Sequence, residues 1–323
     1  MFKSLYPVLT LFIVLNTSCV ENIITIHVYP DGQTYLKIVS LGDSIDIHDN
    51  DFIHPLQNQI SNTSSFNLLK KDSLWEATTE LIYKDSIFNF NPKNSLGFNF
   101  YRSEQKTALS ISYDFKMEFI GRVLKNNYPL LYTALQNNNL DSLEWLPEAM
   151  TVIINHSLIN IENEKIDTKN KFNRGRLVNH FKNAFARITT FRELEHIQKN
   201  RLDFIKNTIK PFKLKDDFAI NLTEKMEMHE NHLKSSLGLK DDSFIIKLLM
   251  PGEMLTTNAM SMNQDTLLWK FGLDSLLNDN YILSAKSVIY SKEKIQKTSI
   301  LIACILLIFG IILIKKQKNY ENN

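Results

Sequence analysis

Residues 298–314, TSILIACILLIFGIILI, form a 17-residue run without a charge, and a segment that is apolar on every side has few places in a water-soluble fold. As a helix at 1.5 Å per residue it is about 25 Å long, just enough for the hydrocarbon core of a bilayer. Lys294 and Lys297 precede it, and Lys315, Lys316 and Lys318 follow. Long basic side chains in such flanks reach the headgroups while their stems stay in apolar surroundings. The segment reads as a transmembrane helix, which leaves 315–323 as a tail too short to fold alone.

The start of the chain points the same way. Lys3, the apolar stretch Leu5–Leu15 and then Asn16, Thr17 and Ser18 read as a signal peptide over residues 1–18. Cys19 follows at once and resembles the acylated cysteine of a bacterial lipobox, although Asn16 stands where that pattern has an aliphatic residue. Both flanks of the C-terminal run are basic, so the signal peptide sets the orientation. The expected arrangement is a single-pass membrane protein with residues 19–297 outside the cytoplasm, a short cytoplasmic tail at 315–323, and Cys19 as a lipidation site.

Composition narrows the partners. Lys and Arg number 37 against 35 Asp and Glu, a net charge of +2, so any basic site must be local and nucleic acid is not an expected partner. Apolar residues make up 44% of the chain and aromatic residues 11%, enough for a true core and too much for a disordered chain. The two cysteines, Cys19 and Cys304, both lie in terminal hydrophobic segments, which leaves neither a disulfide framework nor a thiolate metal site. An extracytoplasmic domain without cysteine between 20 and 297 fits a bacterial envelope better than a eukaryotic cell surface, where disulfides are common.

Between the ends the apolar period changes twice. Ile24, Ile26 and Val28 alternate with Thr25, His27 and Tyr29, and Pro30-Asp31-Gly32 turns the chain into Tyr35–Val39, a hairpin whose glycine can take positive φ. Leu96, Phe98 and Phe100 repeat the period of two. Leu109, Ile111, Tyr113, Phe115, Met117 and Phe119 keep it over eleven residues, the best strand signal in the chain. From about 123 to 238 the spacing is helical. Val152–Ile161 follow Pro147 at a first-turn position, then come Leu177, Phe181, Phe185 and Ile188, and next Leu194, Ile197, Arg201, Phe204 and Thr208 before Pro211. A last helix is predicted to start at an Asn221 cap, with Glu224 three residues on, and to stop at a left-handed Gly238. Strand periodicity returns at Phe244–Met250, at Leu267, Trp269 and Phe271, and from Tyr281 to Ile289. The expected fold class is α+β: an antiparallel sheet with a helical middle segment and one C-terminal transmembrane helix, with 43–65 as the longest loop.

Met250-Pro251-Gly252-Glu253, Asn258-Ala259, Trp269 and Ala285-Lys286-Ser287 together resemble the C-terminal signature of the LppM-type bacterial lipoprotein domain, and the hairpin at Asp31-Gly32 is similar to that family's opening. The resemblance covers the strands at each end and not the helical middle. It implies an envelope protein with an N-terminal signal, often a lipobox, an extracytoplasmic α+β domain, a C-terminal membrane helix and no established catalysis. Pro251, Gly252, Asn258, Ala259 and Trp269 also have a purely structural reading. Proline removes a ladder donor, glycine and asparagine favour turns, and Trp269 alternates inward with Leu267 and Phe271.

Residues with chemistry do not assemble into a recognised pattern. His229 and His232 stand three apart, where the zinc-protease arrangement needs four, so no metal or other cofactor is expected. Asp46, Asp49 and Asp51 lack the glycine and bidentate glutamate of a calcium loop and read as a solvated acidic loop. Nine glycines leave little material for a phosphate loop or a nucleophile elbow. Catalysis is not expected; a cleft gathering two or more of Glu144, Glu148, His156, His180 and Asp203 would favour it. One asymmetry remains. Between Lys165 and Lys215 stand 14 Lys and Arg against 4 Asp and Glu, a local +10. Lys171, Arg174, Arg176 and Lys182 are the candidate contacts for anionic lipid of the membrane bilayer or for an acidic protein. The functional expectation is a non-catalytic, membrane-anchored envelope protein whose ectodomain binds lipid or an envelope protein. An envelope hydrolase and a structural anchor of a membrane complex are the alternatives.

Overall fold

The computed structural model describes residues 20–55, 64–71, 74–164 and 172–321. Residues 1–18, read above as a signal peptide, and Cys19 and Lys171 lie outside the described residues. In chain order the first strands are β1 (Glu21–Val28), β2 (Thr34–Gly42), β3 (Ser64–Lys71), β4 (Leu74–Tyr83), β5 (Ile87–Phe90), β6 (Phe98–Lys106) and β7 (Ser110–Phe119). A helical segment follows: α1 (Leu124–Asn127), α2 (Pro129–Gln136), α3 (Leu146–Asn163), α4 (Arg174–Phe185), α5 (Phe191–Lys199), α6 (Arg201–Ile209) and α7 (Asp216–Gly238). Strands β8 (Ser243–Leu249), β9 (Glu253–Thr257), β10 (Ser261–Asn263), β11 (Thr266–Phe271) and β12 (Tyr281–Tyr290) complete the body, and α8 (Lys292–Glu321) leaves it. The class is α+β, as the two periodicities predict.

The strands form two sheets instead of one, in the orders β10-β11-β8-β1-β2-β4-β3 and β5-β6-β7-β12-β9. All pairings are antiparallel except that of β1 with β8, which run parallel from Glu21 beside Ser243 to His27 beside Leu249. The exception has a simple cause: α7 returns the chain to the end of the sheet at which β1 starts, so β8 must run the same way.

Strand alternation builds the core. Ile24, Ile26, Leu36 and Ile38 of the first sheet and Phe98, Phe100, Tyr113, Phe115, Met117 and Phe119 of the second are all buried. Across the interface Phe119 meets Phe244 and Phe271 at ring separations of 6.1 and 4.9 Å, and Tyr83 meets Phe88 at 4.6 Å. Burying each such ring contributes about 1.5–3 kcal/mol. The alternate residues of β1, β2, β6 and β7 are half-buried or exposed, so among the described residues no helix layer covers the outer faces.

The helices instead stack beyond one end of the sandwich. The chain enters them after Phe119 and leaves them for Ser243, and the amides of Arg122 and Leu124 donate to the carbonyls of Leu276 and Leu277 in the β11–β12 connection at that same end. The opposite, hairpin end carries the β1–β2 turn, the β6–β7 tip and the start of α8. In the turn Gly32 holds φ 87°, its amide donates to Tyr29 O at 3.1 Å and the Tyr29 amide to Gln33 O at 2.9 Å, as the turn residues predict. The Tyr113 hydroxyl donates to Pro30 O at 3.1 Å and Arg102 donates to Lys84 O at 3.1 Å, which locks the two sheets together there.

Three helix expectations change. α7 starts at Asp216, and Asn221 lies inside it, because Phe218 and Ala219 extend the buried stripe upstream. Gly238 has φ −54° and continues into a 3-10 turn, so its glycine is not a left-handed stop. The stripe from Leu194 to Thr208 is cut at Asn200, whose φ −115° and ψ 36° leave the helical region and separate α5 from α6. Strands β3, β4, β5, β9 and β10 were not anticipated; β4 buries Ala77, Thr79, Leu81 and Tyr83, a short and partly polar set that hides its period. α8 holds the charge-free run, and over Lys292–Ile312 it is long and apolar enough to cross a membrane, with mean hydropathy 2.3 and 0% of that window buried.

Candidate functional site

At the helical end the inner face of the first sheet turns polar. Asn22 of β1, Ser40 of β2 and Thr79 of β4 are buried there together with His54. Asp242, just before β8, accepts from Asn22 Nδ2 at 3.0 Å, which leaves Asn22 Oδ1 as the acceptor for the Ser40 hydroxyl. With that proton committed, Ser40 Oγ accepts from His54 Nε2 at 2.8 Å, and His54 Nδ1 accepts from the Thr79 hydroxyl at 3.0 Å. The serine–histidine pair has the distance of a nucleophile and its base but the opposite polarity. In this pattern His54 donates to the serine, and the serine proton points to Asn22 Oδ1. Burial lowers the His54 pKa to about 4, so the ring is neutral, as this pattern requires.

Asp51 lies beside this network, 5% exposed, and its Oδ2 has no hydrogen-bond partner among the described residues. Burial raises its pKa well above the usual carboxylate range, and the nearby Asp242 adds to the shift. Asp242 itself is raised to about 8, first by burial and then by Asp49. The reading of 46–51 as a solvated acidic loop is therefore corrected at Asp51. The Leu96 amide and the Ser95 hydroxyl donate to the Asp51 carbonyl at 2.7 and 3.0 Å and tie this stretch to the body, with the side chain inward.

Arg122, also 5% exposed, supplies the positive charge of the junction. It donates to Ser236 Oγ at 2.8 Å, to Ser235 Oγ at 3.0 Å and to the Ser95 carbonyl at 3.0 Å. Burial lowers its pKa to about 10 against the opposing pull of Asp51, so it stays charged at neutral pH. The cluster staples the end of α7 to the sheets. Among the described residues no group of three or more His, Cys, Asp or Glu is placed to hold a metal.

The helices enclose a cavity of ≈ 50 Å³ lined by Trp145, Phe185, Phe204, Met226 and Leu237, with Arg201 and Glu230 in its wall. Arg201 donates to both Glu230 oxygens, at 2.7 and 2.6 Å, while its Nε has no partner among the described residues. Such a volume holds a few waters and no acyl chain. A charged residue inside an apolar stripe is the one signal of this site in the sequence. Its partner Glu230, on another helix, has none.

The basic candidates lie on the solvent side of α4. Leu177, Phe181 and Phe185 face inward, while Arg174, Arg176 and Lys182 are exposed. Asn173 sets the start of this helix by accepting the Arg176 amide, and Arg174 pairs with Glu162 of α3 at 2.7 Å. Exposed Arg187, Arg192, Lys199, Lys210, Lys213 and Lys215 extend the charge along the following segments. β12 runs ten residues from the helical end to the hairpin end, roughly 30 Å at 3.4 Å per residue. The chain enters and leaves the helical segment at the end of β12 opposite to the start of α8.

The residues of the family resemblance join the two sheets. Asn258 Oδ1 accepts from Trp269 Nε1 at 3.1 Å in the first sheet and from the Ser284 amide at 2.8 Å in the second, and Asn258 Nδ2 donates to Ile282 O at 2.7 Å. Gly252 holds φ 81°, where a Cβ would collide with the Val288 carbonyl. The Pro251 carbonyl accepts from Ser287 Oγ at 2.7 Å, and the Ala259 amide donates to Thr257 Oγ1 at 3.0 Å. Trp269 is buried between these contacts and does not line the cavity among the helices.

Of the five residues that would mark a catalytic cleft, three have partners outside the set and two are exposed. Glu148 accepts from the Leu130 amide at 2.7 Å. His156 stands 5.5 Å from the His229 ring, and His180 packs on Phe212 at 5.3 Å. Glu144 and Asp203 are exposed. Compared with protein families, curated proteins and solved structures, the chain matches none of them.

Proposed function

We propose that the chain is a single-pass envelope protein, built on the ground plan of the LppM-type lipoproteins, whose extracytoplasmic body uses its basic helical end to bind an acidic protein partner and carries out no catalysis. The observation that supports this reading is exposure: Arg176, Lys182 and Arg187 are exposed on and just after α4, in a helical segment that joins the sheets at the end opposite to the start of α8. Electrostatic attraction between exposed charges fades over about 10 Å at 0.1 M salt. Headgroups around α8 are roughly 30 Å down the strand from these side chains, too distant to compete for them. A partner that approaches from outside meets them first. The polarity of the Ser40–His54 pair favours a structural network over a hydrolase.

The test uses the full chain in nanodiscs of neutral lipid with a poly-glutamate peptide as probe. Binding is expected at low salt, weakening as salt rises. In Arg176→Gln/Lys182→Gln/Arg187→Gln it should fall about tenfold, each exposed charge contributing a few tenths of a kcal/mol. No binding at low salt, or equal binding by the variant, would refute the reading.

A further inference from the structure

α8 begins without a linker. Tyr290 ends β12, the Ser291 amide donates to the Leu109 carbonyl at 2.9 Å, and the Ile295 amide closes the first helical turn on the Ser291 carbonyl at 2.9 Å. Residues 292–297 alone separate the sandwich from the charge-free run, about 9 Å of helix. The headgroup layer on one side of a bilayer is roughly 5–8 Å thick. A body attached this closely cannot stand clear of the lipid, and the part nearest to it is the β6–β7 tip with the end of β12. That part has the composition of an interface. Leu109 is 36% and Tyr290 48% exposed, and Lys106, Lys292, Lys294 and Lys297 are exposed around them. A phenol ring with a polar tip and lysines on long stems suits the boundary between hydrocarbon and water, and the lysines complement anionic headgroups.

We infer that the hairpin end of the sandwich is a membrane-seating surface: Leu109 and Tyr290 enter the headgroup layer of the bilayer that α8 spans, so that the strands stand along the membrane normal. The inference rests on α8 crossing the membrane, and it goes beyond that crossing by assigning the surface of the body that lipid covers. It also accounts for aliphatic and aromatic exposure at a hairpin tip, where polar residues usually serve better.

The experiment takes the full chain, in a Cys19→Ser, Cys304→Ser background, reconstituted into vesicles with one third of the lipid anionic. A spin label is placed at Ala108→Cys in the tip or at Asn183→Cys on α4, and its accessibility to oxygen is compared with that to a water-soluble nickel complex. Alkaline extraction of the same vesicles reports whether α8 is inserted. The expected result is resistance to extraction, headgroup depth at 108 and bulk-water values at 183. Resistance to extraction with bulk-water values at both sites would overturn the seat and leave the transmembrane helix standing. Release by alkali would overturn both.

Discussion

The α-carbon of Gly238 lies against the carboxyl group of Asp51: a Cβ on Gly238 would stand 2.7 Å from Asp51 Oδ2 and 3.3 Å from Cγ. In an ordinary helix, glycine to alanine gains about 1 kcal/mol. Here the carboxyl is buried and its backbone is held by Leu96 and Ser95. Gly238→Ala is expected to lose about 1–2 kcal/mol by crowding, and Gly238→Ala/Asp51→Ala to recover most of the loss. Denaturant unfolding measures both, and a single variant more stable than the parent would contradict the contact.

The junction also sets a pH dependence. Asp242 keeps its proton in the fold up to about pH 8, whereas the unfolded chain loses it near 3.8. The stability from this group is therefore complete below the ordinary Asp value and is lost as pH rises through about 8, and Asp51 acts in the same sense. His54, lowered to about 4 from 6.5, works the other way, and stability falls as acid carries the pH through that window. Above pH 6.5 His54 is neutral in both states and drops out of the balance. Tm is expected to decline from there into the alkaline range, each proton lost contributing up to about 1.4 kcal/mol per pH unit. Asp242→Asn, which keeps an oxygen for Asn22, should flatten that decline; an unchanged slope would remove Asp242 from the account.

Arg201 and Glu230 are paired in the cavity wall with side-chain exposures of 17% and 12%. Glu230→Gln leaves an arginine against apolar neighbours and is expected to lose about 3 kcal/mol. Arg201→Met/Glu230→Leu replaces the pair by carbon and should restore most of the stability. Thermal unfolding of the three proteins separates a structural ion pair from a dispensable one.

Val20 is buried at the helical end, where its carbonyl accepts from the Ser243 amide at 2.9 Å. Cys19 is the residue that precedes Val20 in the chain. Labelled fatty acid is expected in the wild type and not in Cys19→Ser, and acylation is expected to leave the lipid depth at position 108 unchanged. A shallower value at 108 in the acylated protein would mean that both anchors enter one bilayer and lay the sandwich on its side.

The parts of the fold that the sequence made legible are those with an unbroken period. Leu109–Phe119 alternates without interruption and contains β7 (Ser110–Phe119), and the helical region read from about 123 to 238 has its first helix starting at Leu124 and its last ending at Gly238. Pro30-Asp31-Gly32 carries its turn in the residue types themselves. β4 was hidden because its inward positions include Ala77 and Thr79, and β9 and β10 because they are short edge strands with exposed apolar residues such as Leu255 and Met262. The basic stretch was legible as a charge count, but its place relative to α8 depends on which sheet end holds the helices, and that is set by long-range pairing. The Asn22–Ser40–His54–Thr79 network was invisible for the same reason: four strands and loops contribute one polar side chain each.

The central claim is that the basic helical end faces away from the membrane and is free to bind. The most direct test measures poly-glutamate binding to the full chain in nanodiscs of neutral lipid and in nanodiscs with one third anionic lipid, both at about 0.1 M salt. The account predicts equal affinity in both, because headgroups of the chain's own bilayer stay roughly 30 Å along the strand from Arg176 and Lys182. Loss of peptide binding in the anionic nanodiscs would contradict it, by placing the basic face on its own membrane.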